Sequence, residues 1–131
     1  MLALLAIFFA ALLAFCRASP IPGDAILQKR AYTGKATFYS VGLGACGQQN
    51  VDTDPVVSIP IGLFGNAYPS PDCNKRVTIT NTANGRVAHG TVLDECPTCG
   101  PSDLDLSKLL FLQLADNLGE GLVPVTWSFD S

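Results

Sequence analysis

Two aspartates, Asp94 and Asp105, bracket the segment Asp94-Glu95-Cys96-Pro97-Thr98-Cys99-Gly100-Pro101-Ser102-Asp103-Leu104-Asp105-Leu106-Ser107. A pair of carboxyl groups can accept hydrogen bonds from a polar ligand or, when protonated, donate them. Acids at the mouth of a loop held by cysteines and a proline suit a polar cleft on a small barrel; protein cores rarely contain such a run. Asp94 has a second reading as a turn former whose carboxylate accepts backbone N–H bonds, and Asp105 has one as an acid placed near a helix start. Other polar and aromatic candidates are Thr37, Tyr39, Tyr68 and Phe64. Thr37 and Tyr39 share one face of a strand. Tyr68 and Phe64 lie in a loop, as stacking platforms or as loop anchors. Trp127 reads as core beside Val125 and Phe129, and the single histidine, His89, as a structural strand residue.

The elements that must hold these residues are short. Gly34–Ser40, Val56–Ile59, Arg76–Thr80, Arg86–Leu93 and Val123–Phe129 read as strands. Asn84-Gly85 marks a hairpin turn between the third and fourth of them. Ser107 is placed as the N-cap of an apolar helix over Leu109–Leu118, which Gly119 would end. Five or six short strands with one helix favour closure, because a closed barrel hides strand edges. The expected fold is mainly β: a small disulfide-braced barrel with one packed α-helix.

Residues 2–15 form an unbroken apolar run, shorter than the roughly 20 residues a membrane span takes. With Ala18 behind it, the run reads as a secretory signal covering 1–18; a lipid anchor on Cys16 is the rival, disfavoured by the bulk of Phe15. Residues 19–30 end in Lys29-Arg30, which reads as a dibasic processing site, with an ordinary charged linker as the alternative, and the domain is expected over 31–131. That segment of 101 residues has five basic side chains against ten acidic ones, a net charge of −5. It lacks the basic stripe that nucleic acid or an anionic membrane would require; a neutral or basic polymer fits better. It retains Cys46, Cys73, Cys96 and Cys99, an even count that reads as two disulfides in a small secreted domain. Three pairings are open. Cys46–Cys73 with Cys96–Cys99 is favoured because the second pair is nearly adjacent. A four-thiolate zinc site fits poorly, since Cys46 and Cys73 are far apart, and a redox Cys-X-X-Cys lacks its βαβ context. No metal or cofactor is expected, nor is N-glycosylation, since the chain has no Asn-X-Ser/Thr.

Seven motifs occur in an order that resembles double-psi β-barrel proteins. They are Gly34-Lys-Ala-Thr-Phe-Tyr39, Gly44-Ala-Cys-Gly47, Val77-Thr-Ile-Thr-Asn81, Val92-Leu-Asp94, Cys96-Pro-Thr-Cys99, Leu104-Asp-Leu-Ser107 and Val125-Thr-Trp127. The pattern is similar to single-domain, expansin-like fungal secreted proteins, including the loosenins. Rare lipoprotein A, barwin and family 45 glycoside hydrolases are more distant. The resemblance implies a six-stranded double-psi β-barrel with a polysaccharide groove. Asp105 would match the aspartate essential for wall loosening, and Asp94 a second groove aspartate. Thr37 would match a groove threonine and Tyr39 an aromatic near the sugar site.

Three departures qualify it. Val41 stands where the related hydrolases carry a catalytic base, so hydrolysis, which in its inverting form needs an acid and a base, is not expected. Cys96 stands where expansins place a groove tyrosine. No carbohydrate-binding domain follows, so wall anchoring should be weaker. The expected function is a monomeric extracellular protein that binds cell-wall polysaccharide (cellulose, glucan or chitin) and loosens it without hydrolysis. The alternatives are a lytic glycan-cleaving enzyme using one acid, and a protein-binding inhibitor or effector.

Overall fold

The computed structural model describes residues 30–131. The expected signal segment and the dibasic linker up to Lys29 lie outside the described residues. The elements run β1 (Ala31–Tyr39), β2 (Val56–Pro60), α1 (Ile61–Phe64), β3 (Arg76–Asn81), β4 (Val87–Cys96), β5 (Leu104–Ser107), α2 (Lys108–Leu114) and β6 (Val123–Phe129), with a 3-10 turn at Leu118–Glu120.

The six strands close into a barrel in the order β1-β5-β2-β4-β3-β6. The β1–β5 and β2–β4 contacts are parallel and the other four antiparallel. Alternation directs Val77 and Ile79 of β3 and Val125 and Trp127 of β6 into the interior. There they meet Val57, Ile59, Leu104 and Leu106. α2 packs on β4, β1 and β5 and closes the core with Leu110, Phe111 and Leu114. Trp127 is buried, stacks on Tyr32 at 4.4 Å and donates its indole N–H to the Ser102 carbonyl at 2.9 Å.

The expected hairpin joins β3 to β4. Gly85 has φ +78, a conformation glycine adopts without a Cβ clash, and its N–H reaches the Asn81 carbonyl at 2.8 Å. Disulfides link Cys46 to Cys73 and Cys96 to Cys99. All four cysteines of the described residues are thereby consumed, which removes the rival zinc site.

Four details differ from the sequence reading. The sixth strand, β5, lies where an acidic loop and helix start were expected, so Asp105 is a strand residue. With Leu104 and Leu106 inward and only Asp105 outward between them, β5 is too short for its period to show. Ser107 does cap α2, accepting from the Leu110 N–H at 3.4 Å. The helix nevertheless stops at Leu114, because the Asn81 and Asn84 side-chain amides both take the Leu114 carbonyl at 2.9 Å; Gly119 sits in the 3-10 turn instead. β1 starts at Ala31 rather than Gly34, since its first residues pair with β6. Phe64, offered as a stacking platform or a loop anchor, is buried in the core, so it anchors and offers no platform.

Candidate functional site

Four neighbouring strands, β1-β5-β2-β4, place one polar residue each in a common row. Thr37 pairs with Asp105, Asp105 with Ser58, and Ser58 with Asp94. The last pairing depends on a register shift between Val57 and Ser58, which skips Leu93 and brings Asp94 opposite Ser58. The row therefore joins the two expected aspartates through a serine that the sequence reading did not single out. Ser58 is buried, in a strand buried along its whole length, and only the barrel pairing marks it.

The hydroxyl of Thr37 donates to Asp105 Oδ1 at 3.0 Å. Two residues on, and so on the same face of β1, the Tyr39 hydroxyl donates to Asp94 Oδ2 at 2.8 Å. Asp94 Oδ1 accepts two backbone N–H bonds at 2.9 Å each, from Ala45 and Glu95. The loop after β1 is able to reach Asp94 because residue 44 is glycine: a Cβ there would collide with the Leu93 carbonyl oxygen. The adjoining Cys46 N–H bonds that same carbonyl at 3.2 Å.

Burial raises the pKa of Asp105 above the ordinary carboxylate value; hydrogen bonds from Thr37 and the Leu106 backbone oppose the shift, and the Asp94 charge adds to it. Burial, first, and then the bond to Asp94 with the charges of Asp94 and Asp105 hold the Tyr39 phenol far above its usual range; a hydrogen bond from Ser58 acts the other way. Tyr39 is thus a fixed donor.

A cleft of about 230 Å³ opens beside Asp105, lined by Lys35, Thr37, Cys96, Thr98, Cys99, Asp103, Leu104, Asp105 and Leu122. It does not include Asp94, Tyr39 or Tyr68, and no aromatic ring lines it. Asp103 shapes its floor, accepting the Lys35 N–H at 2.9 Å and the Gly100 N–H at 3.2 Å. Lys35, Thr98 and Leu122 are further lining residues that carried no sequence signal. Tyr68 stands apart and exposed, its hydroxyl donating to the Glu95 carboxylate at 3.0 Å. Val41 contributes only its backbone N–H, to Asp52 Oδ1 at 3.2 Å; Asp52 also pairs with Lys108. His89 contacts the Thr78 hydroxyl at 3.1 Å and has no part in the row.

No protein-family model matches the chain. It is 40% identical over 85 residues to the allergen Asp f 7 homolog of Arthroderma benhamiae, covering 63% of this chain and 28% of that protein. The chain thus spans under a third of that relative's length. It is 37% identical over 101 residues to the papain inhibitor of Streptomyces mobaraensis, covering 74% of this chain and 70% of the inhibitor. The solved Streptomyces papain inhibitor superposes with a TM-score of 0.71 at 34% identity, covering 78% of this chain and 96% of that one. A Clavibacter michiganensis expansin in complex with cellohexaose superposes with a TM-score of 0.65 at 23% identity, covering 77% of this chain and 50% of that one, a likeness of fold. The barrel is the six-stranded double-psi, expansin-like fold, and the chain belongs to the family of the Streptomyces papain inhibitor.

Proposed function

We propose that this is a secreted binding protein whose polar row and adjoining cleft hold a cell-wall glycan, and that it loosens glycan contacts without net hydrolysis. The observation that carries the reading is the unequal state of the two carboxyls. Asp105 is half-buried at the cleft and accepts from two protein donors, the Thr37 hydroxyl and the Leu106 backbone N–H. A carboxyl group has about four lone-pair sites, so it keeps capacity for a sugar hydroxyl. Asp94 already serves three protein donors, a poor state for a group that must activate water or attack a sugar. Glycosidases use two working carboxyls, and one is offered here. A glycan chain hydrogen-bonded to Asp105 and Thr37 gives up those bonds to its neighbour, and the contact between chains loosens. The expansin complexed with cellohexaose supplies a precedent on the same fold. Two disulfides suit an oxidising, extracellular setting.

The test compares wild type with Asp105→Asn for binding to insoluble cellulose and chitin and for weakening of cellulose- or chitin-rich sheets, with mass spectrometry of any soluble products. Wild type should bind and release nothing, and the variant should bind at least tenfold more weakly. Equal binding by a folded variant would remove Asp105 from the centre of the mechanism. An anhydro-sugar product would replace loosening with lytic cleavage by a single acid.

A second reading, protease inhibition, is favoured by the family relationship, since the chain covers 96% of the solved papain inhibitor. Titration of papain with the chain, following hydrolysis of a small peptide substrate, tests it directly.

A further inference from the structure

The segment between β1 and β2 is long and without regular strands, yet it is tied at every turn. Asn50 N–H bonds the Gly42 carbonyl at 2.9 Å, Gly44 N–H the Gln48 carbonyl at 3.0 Å, and Gly47 N–H the Gly44 carbonyl at 2.9 Å. Leu43 forms a bridge with Gln49. Asp94 holds Ala45 from below, the Cys46–Cys73 disulfide staples the tip to the chain after α1, and Asp54 Oδ2 accepts from Val51 N–H and Asn50 Nδ2 at 2.9 and 3.1 Å.

On this frame Leu43 is 73% exposed and Val51 59% exposed. The antiparallel Leu43–Gln49 bridge places those two residues side by side, and Val51 follows two residues further on. Residues 40–51 contain no charged side chain, although the 31–131 segment has a net charge of −5. Buried interface centres are depleted of charge in this way. A pre-tied loop also loses little entropy on docking, and protease–inhibitor partners move little on association.

We propose that residues 42–51 form the protease-contacting edge of this protein, with Leu43 as the anchor that enters an apolar pocket of a papain-type cysteine protease. The inference rests on the protease-binding reading and is separate from the glycan cleft. Neither Leu43 nor Val51 supports the core, so polar replacements leave the fold intact.

The experiment measures inhibition of papain by wild type, Leu43→Asp, Val51→Asp and, as a control on another exposed apolar residue, Leu112→Gln. Circular dichroism confirms folding of each. Leu43→Asp should weaken inhibition by about 30-fold or more, the scale of an anchor residue. Val51→Asp should weaken it less, and Leu112→Gln should match wild type. If wild type inhibits and both loop variants inhibit equally well, the loop assignment is overturned while the protease reading stands. If wild type does not inhibit papain at high micromolar concentration, the protease reading falls and takes the loop with it.

Discussion

Asp94 receives hydrogen bonds from Tyr39, Ala45 and Glu95, and through Ala45 it anchors the loop that carries Cys46. Asp105, two strands away in the same row, accepts from the Thr37 hydroxyl and the Leu106 backbone N–H and borders an open cleft. The residue type and the barrel wall are shared, yet the surroundings divide the work. A carboxylate that serves three protein donors, two of them backbone N–H groups, organises a loop, whereas one with two donors beside a cleft keeps acceptor sites for a ligand. The difference teaches that two acids in one wall can hold different numbers of protein donors and so differ in what they leave for a ligand.

The largest test of the comparison removes the brace at the Asp94 end. Cys46→Ala with Cys73→Ala opens a loop of 27 residues and should cost about 3.5 kcal/mol by the chain-entropy relation, read from urea unfolding. Loss of less than about 1 kcal/mol would mean the hydrogen bonds alone hold that end.

Next in size, Asp94→Ala leaves the N–H groups of Ala45 and Glu95 and the Tyr39 hydroxyl without their acceptor. It should destabilise by about 2–3 kcal/mol, with reduced amide-exchange protection at Ala45. A neutral result would erase the distinction drawn between the two acids.

Asp105→Asn should change stability by less than about 1 kcal/mol at neutral pH while weakening glycan binding, the reverse of Asp94→Ala. Its pH dependence has a definite sign. The folded carboxyl holds its proton more tightly than an unfolded one, whose ordinary pKa is 3.8. Ionised Asp105 therefore detracts from stability above its folded pKa. That penalty is relieved as the pH falls through the folded pKa and is gone below 3.8. Wild type should thus gain stability relative to Asp105→Asn on acidification, and an unchanged difference across that range would contradict the buried environment.

The smallest effect is expected from Tyr68→Phe. It removes an exposed bond to Glu95 outside the row and should shift unfolding by under about 0.5 kcal/mol. A large shift would show that Glu95 couples Tyr68 to Asp94.

Much of the framework was legible because it is local. Val123–Phe129 shows its alternation in sequence, Asn84-Gly85 marks its own turn, and Ser107 stands just before a leucine-rich run that needs a cap. The nearness of Cys96 to Cys99 suggested their pairing and left Cys46 for Cys73. The site was legible in part. Asp94, Asp105, Thr37 and Tyr39 carry polar groups in recognisable motifs, and the barrel brings them to one wall. Ser58 gave no signal, since it stands between apolar neighbours and its meaning arises from strands paired 36 and 47 residues away. β5 was hidden for a related reason: four residues give too few repeats of a two-residue period to be told from a helix start.

The chain by itself determined which side chains are available, where it turns, and that its cysteines and apolar periods suit a small braced barrel. These follow from interactions within a few residues, which sequence order preserves. Only the tertiary structure decided that Asp94 is occupied and Asp105 open. Hydrogen-bond saturation depends on donors such as Ala45, 49 residues from Asp94, and a one-residue slip in strand register would have turned that carboxylate to the other face.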